Sequence, residues 1–292
     1  MDKGTIFLQA VVNGLLLGGV YAAYSAGFSL IFGVMGVVNL AHGEFVMLGA
    51  FTSYWLFTLA HVDPYVGVPV AFALLFLLGY ALQHGIINRV IALPPIMTYI
   101  LTFGIHLLIT NIALKVWTHD FRPITTSYSG ANLVVGDIYL PVARVIAFLL
   151  ALMMIGGLWL FLNRTDMGRA IRATALDRDV ARLMGVNIRQ VYATTFAIGA
   201  GMTGVAGAAV SPFDIISPEM GMNYTLVAFC VVVLGGMGHV PGTLWGGTLL
   251  GVIQSLAVTF LNASVSVAVT FLLLFLALLF RPTGIAGKGL TP

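Results

Sequence analysis

Residues 141–162 read PVARVIAFLLALMMIGGLWLFL, and residues 163–190, which follow at once, read NRTDMGRAIRATALDRDVARLMGVNIRQ. A transmembrane helix needs about 20 predominantly apolar residues, and the first stretch meets that requirement. The second stretch is polar and holds six of the thirteen basic residues of the chain. This boundary predicts a membrane-spanning helix that ends in an arginine-rich loop.

The composition extends this prediction to the whole chain. Of the 292 residues, 60% are hydrophobic and 8% are charged, and the mean hydropathy is +1.03. A soluble domain carries about 25% charged residues, so the composition excludes a soluble globular protein. We predict an all-α, polytopic transmembrane helical bundle that forms one domain over residues 1–292. The predicted spans are 6–32, 44–60, 66–88, 96–117, 141–162, 191–211, 222–238, 243–261 and 264–280.

Two glycine-containing stretches predict interrupted helices, near 33–44 and 235–243. If the second is one broken helix, the chain has eight spans instead of nine. Aligning Gly36–Ala50 with Gly235–Leu249 superposes Gly36 on Gly235. An internal repeat of the kind found in transporters and a chance match among 34 glycines both explain this alignment. The glycines of the second stretch serve helix packing or act as a hinge; they are Gly235, Gly236, Gly238 and Gly242. A separate set, Gly201, Gly204 and Gly207, has the spacing of one packed helix face.

The distribution of charge predicts the orientation. Basic loops favour the cytoplasmic side, so residues 163–190 are placed there. This choice also places Arg89, Arg281 and Lys288 inside, which gives nine of thirteen basic residues, and leaves six of ten acidic residues outside. With nine spans, the N-terminus is periplasmic and the C-terminus is cytoplasmic.

The arginine-rich loop has a helical pattern of its own. Asp166 can cap a helix that begins near Met167, and Gly185 can end it. One face is apolar and carries Leu176, Val180, Leu183 and Met184, while Arg172, Asp179 and Arg182 lie off that face, the last two spaced for an ion pair. Two interpretations remain open: a helix that rests on lipid headgroups, and a helix that docks on a soluble partner.

A second candidate site consists of Asn39, His42 and Glu44. Glu44 is a formal charge at membrane depth, where a carboxylate costs about 2.5–3.5 kcal/mol on insertion scales. It therefore needs a hydrogen-bonding partner, and we expect His42 or Asn39 to supply it. The three residues either pin a broken helix or line a substrate path.

Other features exclude further classes of function. No basic-aromatic patch indicates nucleic-acid binding, and the histidines lack metal-ligand spacing. The single cysteine, Cys230, lies in an apolar run and is expected to be a small buried residue. No Walker-type GxxxxGK[ST] sequence occurs, since Gly287–Lys288 is followed by Gly289, so any ATP hydrolysis must come from another chain.

Three segments resemble one family. Residues 168–187, GRAIRATALDRDVARLMGVN, are similar to the ATPase-coupling segment of bacterial ABC import permeases, with Ala175 and Gly185 at the expected spacing. Residues 36–50, GVVNLAHGEFVMLGA, resemble the N-x-A-H-G-E stretch of branched-chain amino acid permeases of the LivH type. Residues 231–242, VVVLGGMGHVPG, resemble that family's second glycine-rich stretch, although His239 stands where a small residue is expected.

The resemblance implies a bacterial inner-membrane permease for branched-chain or other small amino acids. It implies a second related permease, two ATP-binding subunits that carry the ATP and magnesium, and a periplasmic substrate-binding protein; this chain binds no cofactor. The residues that it implies in ATPase coupling are Arg169, Arg172, Ala175, Asp177, Asp179, Arg182 and Gly185. An ion-coupled secondary transporter that uses Glu44, and a membrane enzyme, are the alternatives.

Overall fold

The computed structural model describes residues 2–281 and 284, and most of them are helical. Seven helical stretches in this part of the chain are long and apolar enough to cross a membrane. The predicted all-α membrane bundle is confirmed. The helices are α1 (Lys3–Met35), α2 (His42–Ala60), α3 (Val68–Leu82), α4 (Asn88–Val90), α5 (Pro95–Trp117), α6 (Val142–Arg164), α7 (Asp166–Leu176), α8 (Arg178–Leu183), α9 (Ile188–Val210), α10 (Met220–Gly235), α11 (Gly242–Phe260) and α12 (Ala263–Phe280).

Each of the nine predicted spans overlaps one of these helices. A π-helical segment, Gln83–Ile87, joins α3 to α4 and makes a single 23-residue stretch of them. The two predicted spans that are not among the seven long apolar stretches correspond to α2 and α10. Since α10 has 16 residues, it is about 24 Å long, shorter than a hydrocarbon core of about 30 Å.

The central helix of the bundle is α9. In its most apolar 18-residue window 89% of the residues are buried, against 11% for α12. It packs against α1, α2 and α3, and the glycine face predicted from its sequence makes these contacts. A methyl group at Gly201 would lie 2.8 Å from the ring of Phe72 on α3, and one at Gly204 would lie 2.9 Å from Leu75. Close approach at small residues is the ordinary way that membrane helices pack.

Both predicted helix interruptions are present. α1 ends at Met35 and α10 ends at Gly235, and each is followed by a glycine with positive φ, 65° at Gly36 and 102° at Gly236. A six-residue connection then leads to α2 and to α11, which begin at His42 and Gly242. In the structure Gly36 corresponds to Gly236, one residue away from the alignment predicted by the sequence. An internal repeat stays a prediction.

The connection from α1 to α2 turns back into the bundle. The His42 Nε2 atom lies 2.9 Å from the carbonyl oxygen of Tyr24, although α1 continues for eleven residues beyond Tyr24, about 16 Å along the helix axis. Residues 36–41 therefore run back beside the last three turns of α1. α2 starts in the interior of the bundle and not at its end.

The arginine-rich segment differs from the prediction in detail. It forms two helices, α7 and α8, because Asp177 is extended, with φ −157° and ψ 110°. The Asp177 Oδ1 atom accepts hydrogen bonds from the backbone N–H groups of Asp179 and Val180, at 2.9 and 3.0 Å. The first cap is Thr165, whose Oγ1 accepts from the Gly168 N–H at 3.0 Å, and not Asp166.

The end of the bundle opposite the arginine-rich segment carries the only strands of the described residues, β1 (Asn132–Val135) and β2 (Ile138–Pro141), which form an antiparallel hairpin. Nearby, the Tyr128 hydroxyl donates to Asp63 Oδ2 at 2.7 Å. Burial and this bond raise the pKa of Tyr128 above its usual range, so the hydroxyl stays a donor. Residues 285–292 lie outside the described residues. They include Lys288, which was counted in the predicted orientation, and the Gly287–Lys288 pair, which was compared with the Walker sequence.

Candidate functional site

Glu44 lies in the first turn of α2 and is 1% exposed. Its Oε1 atom lies 2.7 Å from His106 Nδ1 on α5. The expectation that His42 or Asn39 would be the partner is wrong. Residues two apart on a helix do not face each other, so His42 points away from Glu44 and hydrogen-bonds the carbonyl of Tyr24 instead. The Asn39 Oδ1 atom accepts from the Ala41 N–H at 3.0 Å.

The start of α2 is also fixed to α10. The N–H of Gly43 donates to Thr225 Oγ1 at 2.8 Å, and a methyl group at Gly221 would overlap the Glu44 carboxylate. The Glu44 carboxylate and its neighbours thus join three helices, α2, α5 and α10. No local pattern pointed to His106 or Thr225, which lie 62 and 181 residues from Glu44 along the chain.

Three polar atoms of this buried cluster have no hydrogen-bond partner: Glu44 Oε2, His42 Nδ1 and Asn39 Nδ2. A buried polar group without a partner costs about 1–3 kcal/mol, so such groups are usually retained for a reason. The cluster can accept and donate further hydrogen bonds in the interior of the bundle. The cavities of 430–560 Å³ between the helices are lined by other residues.

One part of the arginine-rich segment packs on the bundle, and another part is exposed. α7 is held on the bundle by Ile171 and Thr174, which are 1% and 3% exposed, and by Gly168, which lies against the backbone of Leu162. In contrast, the predicted apolar face is uncovered in this chain. Its exposed fractions are 89% for Leu176, 54% for Val180, 86% for Leu183 and 81% for Met184.

The predicted coupling residues are all solvent-accessible. Arg169 pairs with Asp166, and Arg172 donates to the Asn163 side chain. The expected ion pair between Asp179 and Arg182 is not formed, although both residues are described and lie three positions apart in α8. Gly185 has φ 86° and nothing within 4 Å of its would-be Cβ.

Beside α8 lies a groove of about 560 Å³ that is lined by charged, polar and apolar side chains. It separates α8 from the start of α9 and from the residues that follow α4. Arg178, Asp179 and Arg182 line one wall, and Asn187 and Arg189 line the other. An exposed apolar helix next to a charged groove is a surface suited to a soluble protein partner, with an apolar contact and charged groups around it.

The predicted packing glycines lie where α10 meets α11. A methyl group at Gly235 would lie 2.5 Å from the carbonyl carbon of Gly242, and one at Gly238 would lie 3.0 Å from the Cα of Gly33. Gly236 caps the end of α10. Cys230 is buried, with its Sγ 3.6 Å from the carbonyl oxygen of Thr270. Among the described residues no three His, Cys, Asp or Glu side chains cluster as a metal site would require.

Comparisons with known proteins agree on one family. Residues 10–278 match the family described as branched-chain amino acid transport system / permease component. The chain is 32% identical to the high-affinity branched-chain amino acid transport system permease protein BraD of Pseudomonas aeruginosa, over 97% of this chain and 96% of BraD. It is 31% identical to the corresponding LivH of Escherichia coli K12, with the same coverage.

A solved structure, that of PsaBC from Streptococcus pneumoniae in complex with a Fab, has a similar fold. The TM-score is 0.51 at 14% identity, and the match covers 95% of this chain and 92% of that chain. The family match supports a transport role and not the ion-coupled or enzymatic alternatives.

Proposed function

Because this chain belongs to the family of branched-chain amino acid transport permeases, we propose that it is the membrane subunit of an ATP-driven importer for branched-chain or other small amino acids. It works in a bacterial inner membrane beside a second, related permease. Two separate ATPase subunits supply the energy, and a periplasmic binding protein delivers the substrate. The ATP and magnesium belong to the ATPase subunits.

The observation that carries this proposal is the uncovered apolar face of α8. Burying an apolar side chain of the size of leucine or methionine stabilises a complex by about 1.5–3 kcal/mol. Leu183 and Met184 are more than four-fifths exposed, and the groove of Arg178 and Arg182 lies beside them. The ATPase docks here, with α8 against its surface and the arginines around the contact. The experiment below distinguishes the ATPase from the alternative occupant of this face, the layer of lipid headgroups.

The orientation follows from the same surface. Six arginines lie in residues 163–190, and basic segments are retained on the cytoplasmic side during insertion. The arginine-rich end of the bundle is therefore cytoplasmic. The opposite end, with the β1–β2 hairpin, is periplasmic and meets the binding protein.

Movement of the docked ATPase reaches the bundle through α9. α7 packs on α6 and α1, while α8 is joined to α9 by a short turn at Gly185. α9 is the most buried long helix and contacts α2 along its length. A rotation of α7 and α8 thus displaces α9 and the start of α2. Lever-like motion of packed elements is a common form of conformational change.

This motion would displace the buried polar residues at and just before the start of α2, which are Asn39, His42 and Glu44. We place them at the inner boundary of the substrate path, since each has an unpartnered polar atom, while His42 contacts Tyr24 on α1 and Glu44 contacts Gly221 on α10. Glu44→Gln keeps a hydrogen-bonding side chain of the same size. We expect it to reduce uptake while membrane insertion stays unchanged, and normal uptake would remove Glu44 from the path.

Docking is tested by co-purification of the full chain with its ATPase subunits. Leu183→Glu places a charge in the proposed contact and should abolish co-purification and substrate-stimulated ATP hydrolysis. The matched control is Val134→Glu in β1, which is 59% exposed at the opposite end of the bundle; it should retain both. If Leu183→Glu keeps its ATPase and loses lipid binding instead, the face is an interfacial helix and the proposal is wrong.

A further inference from the structure

A cleft lined by both apolar and polar side chains opens at the end of the bundle opposite the arginine-rich segment. Two cavities of about 510 and 470 Å³ meet between α1 and α10, where both are lined by Leu17, Tyr21, Asn223 and Val227. The first continues between α11 and α12, and the second continues to the connection between α9 and α10. The two cavities are therefore adjacent, and we refer to them together as the cleft.

The position of the cleft follows from α6 and α9. Arg144, which lines the first cavity, is the third residue of α6, whose other end leads into the arginine-rich segment. Asp214, which lines the second, lies four residues beyond the end of α9, whose start follows that segment. Each of these 23-residue helices is about 34 Å long. The cleft is therefore on the side from which an importer receives its substrate.

Polar side chains line the first cavity and the wall that it shares with the second. The Tyr21 hydroxyl donates to Gln254 Oε1 at 2.8 Å, and Gln254 Nε2 donates to Thr270 Oγ1 at 2.6 Å. Asn223 is exposed, and Asn13 Oδ1 is buried without a partner. Polar groups at membrane depth face a bundle interior or a water-filled cavity and mark substrate pathways, whereas the outer surface of α5 carries Ile100 and Leu108, which suit lipid.

The two charges of the cleft are separate from each other and complementary. Arg144 lies over the ring of Phe213, 5.8 Å from its centroid, and no carboxylate of the described residues lies within ion-pair distance of it. Asp214 accepts a hydrogen bond from the Tyr224 hydroxyl and makes no ion pair with a described side chain. A cation that lacks a counter-charge is available for an anionic ligand group, and the Asp214 carboxylate is available for a cationic one.

We propose that this cleft binds the zwitterionic head of an α-amino acid. Arg144 binds the carboxylate, Asp214 with Tyr224 binds the ammonium group, and the apolar side chain of the substrate lies against Leu17 and Val227. The proposal rests on the proposed function, since it assigns the substrate class to a site of this permease. The chemistry is shared by one other source, the zwitterionic headgroup of phosphatidylethanolamine, which the experiment separates.

The test measures protection of a cysteine in the cleft of the full chain, reconstituted in nanodiscs of phosphatidylglycerol. Val227→Cys, in a Cys230→Ala background, places a reporter in the shared wall without removing a polar group. Labelling by a water-soluble thiol reagent is timed with leucine, with isopentylamine, which lacks the carboxylate, and with isocaproate, which lacks the ammonium group. The labelling rate without ligand shows that each variant still forms the cleft.

We expect leucine alone to slow labelling. Arg144→Gln and Asp214→Asn should each raise the leucine concentration for half-protection about tenfold or more, as expected for loss of a charged hydrogen bond. Lys115→Gln, an exposed cation at the same end of the bundle, should leave it unchanged.

Four outcomes would overturn the proposal: no protection by leucine, equal protection by all three compounds, protection that survives both charge-removing variants, or slow labelling imposed by phosphatidylethanolamine without leucine. A separate measurement tests the proposed function: if the unaltered chain does not co-purify with its ATPase subunits, the proposed function fails, whatever the labelling shows.

Discussion

Gly207, in the last turns of α9, and Gly185, in the turn before α9, differ in everything that surrounds them. A methyl group at Gly207 would lie 2.8 Å from the backbone nitrogen of Ala50 on α2, whereas one at Gly185 would meet nothing within 4 Å. The first belongs to an interior packed backbone against backbone. The second belongs to a segment whose apolar side chains are uncovered. Substitutions in the interior should therefore act on folding, and those in residues 163–190 should act on partner binding.

The largest effect is expected at the buried pair of Glu44 and His106. His106→Ala leaves the Glu44 carboxylate buried without its partner, which costs about 3–5 kcal/mol when a buried pair is broken. The melting temperature in detergent should fall steeply. The second change, Glu44→Gln, should restore part of the lost stability because no ionisable carboxyl group then remains. His84→Ala, an exposed histidine on the π-helical segment, is the control. An unchanged melting temperature for His106→Ala would show that the pair does not hold the three helices together.

The next effect is expected at the glycine contact. Gly207→Ala inserts a methyl group between α9 and α2, and overpacking costs about 1–3 kcal/mol. Gly104→Ala on α5 faces open space and should stabilise the chain by up to about 1 kcal/mol, because alanine is the better helix former. The two substitutions should move the melting temperature in opposite directions. Equal shifts would mean that the α2–α9 contact is looser than described.

A smaller effect is expected at the break between α7 and α8. Asp177→Ala removes the cap of α8 and should cost about 0.5–2 kcal/mol locally. Hydrogen exchange should increase at residues 178–184 and stay constant in α9. Asp179→Ala, which lies in the first turn and caps nothing, is the matched control. Increased exchange along α9 as well would show that α8 and the central helix unfold together.

The smallest effect on stability is expected on the uncovered face. Leu176→Ser removes an apolar side chain that is 89% exposed, and such surface changes usually stay within about 0.5 kcal/mol. The melting temperature of the isolated chain should not change, while ATPase affinity should fall. A large loss of stability would place Leu176 in a contact within this chain, and the comparison between interior and segment would fail.

The sequence predicted what depends on local pattern. Long apolar runs predicted the helices, and glycines predicted both interruptions, because these features act within a few residues. The same reasoning missed the partner of Glu44, since His106 reaches it only through the packing of α5 on α2. It also read residues 167–185 as one helix, because the spacing of apolar residues does not reveal that Asp177 caps a second helix. The cleft with Arg144 and Asp214 was not predicted either, since its walls combine residues of six helices with those of the connection between α9 and α10.

An ATPase can dock on residues 163–190 only if this segment lies on the cytoplasmic side of the membrane. Leu183→Cys and Val134→Cys, each in a Cys230→Ala background, are treated in intact cells with a thiol reagent that does not cross the inner membrane. We expect Val134→Cys to be labelled in intact cells, and Leu183→Cys to be labelled only after the membrane is permeabilised. Labelling of Leu183→Cys in intact cells would place the segment outside, where no ATPase could dock, and the proposed function would be wrong.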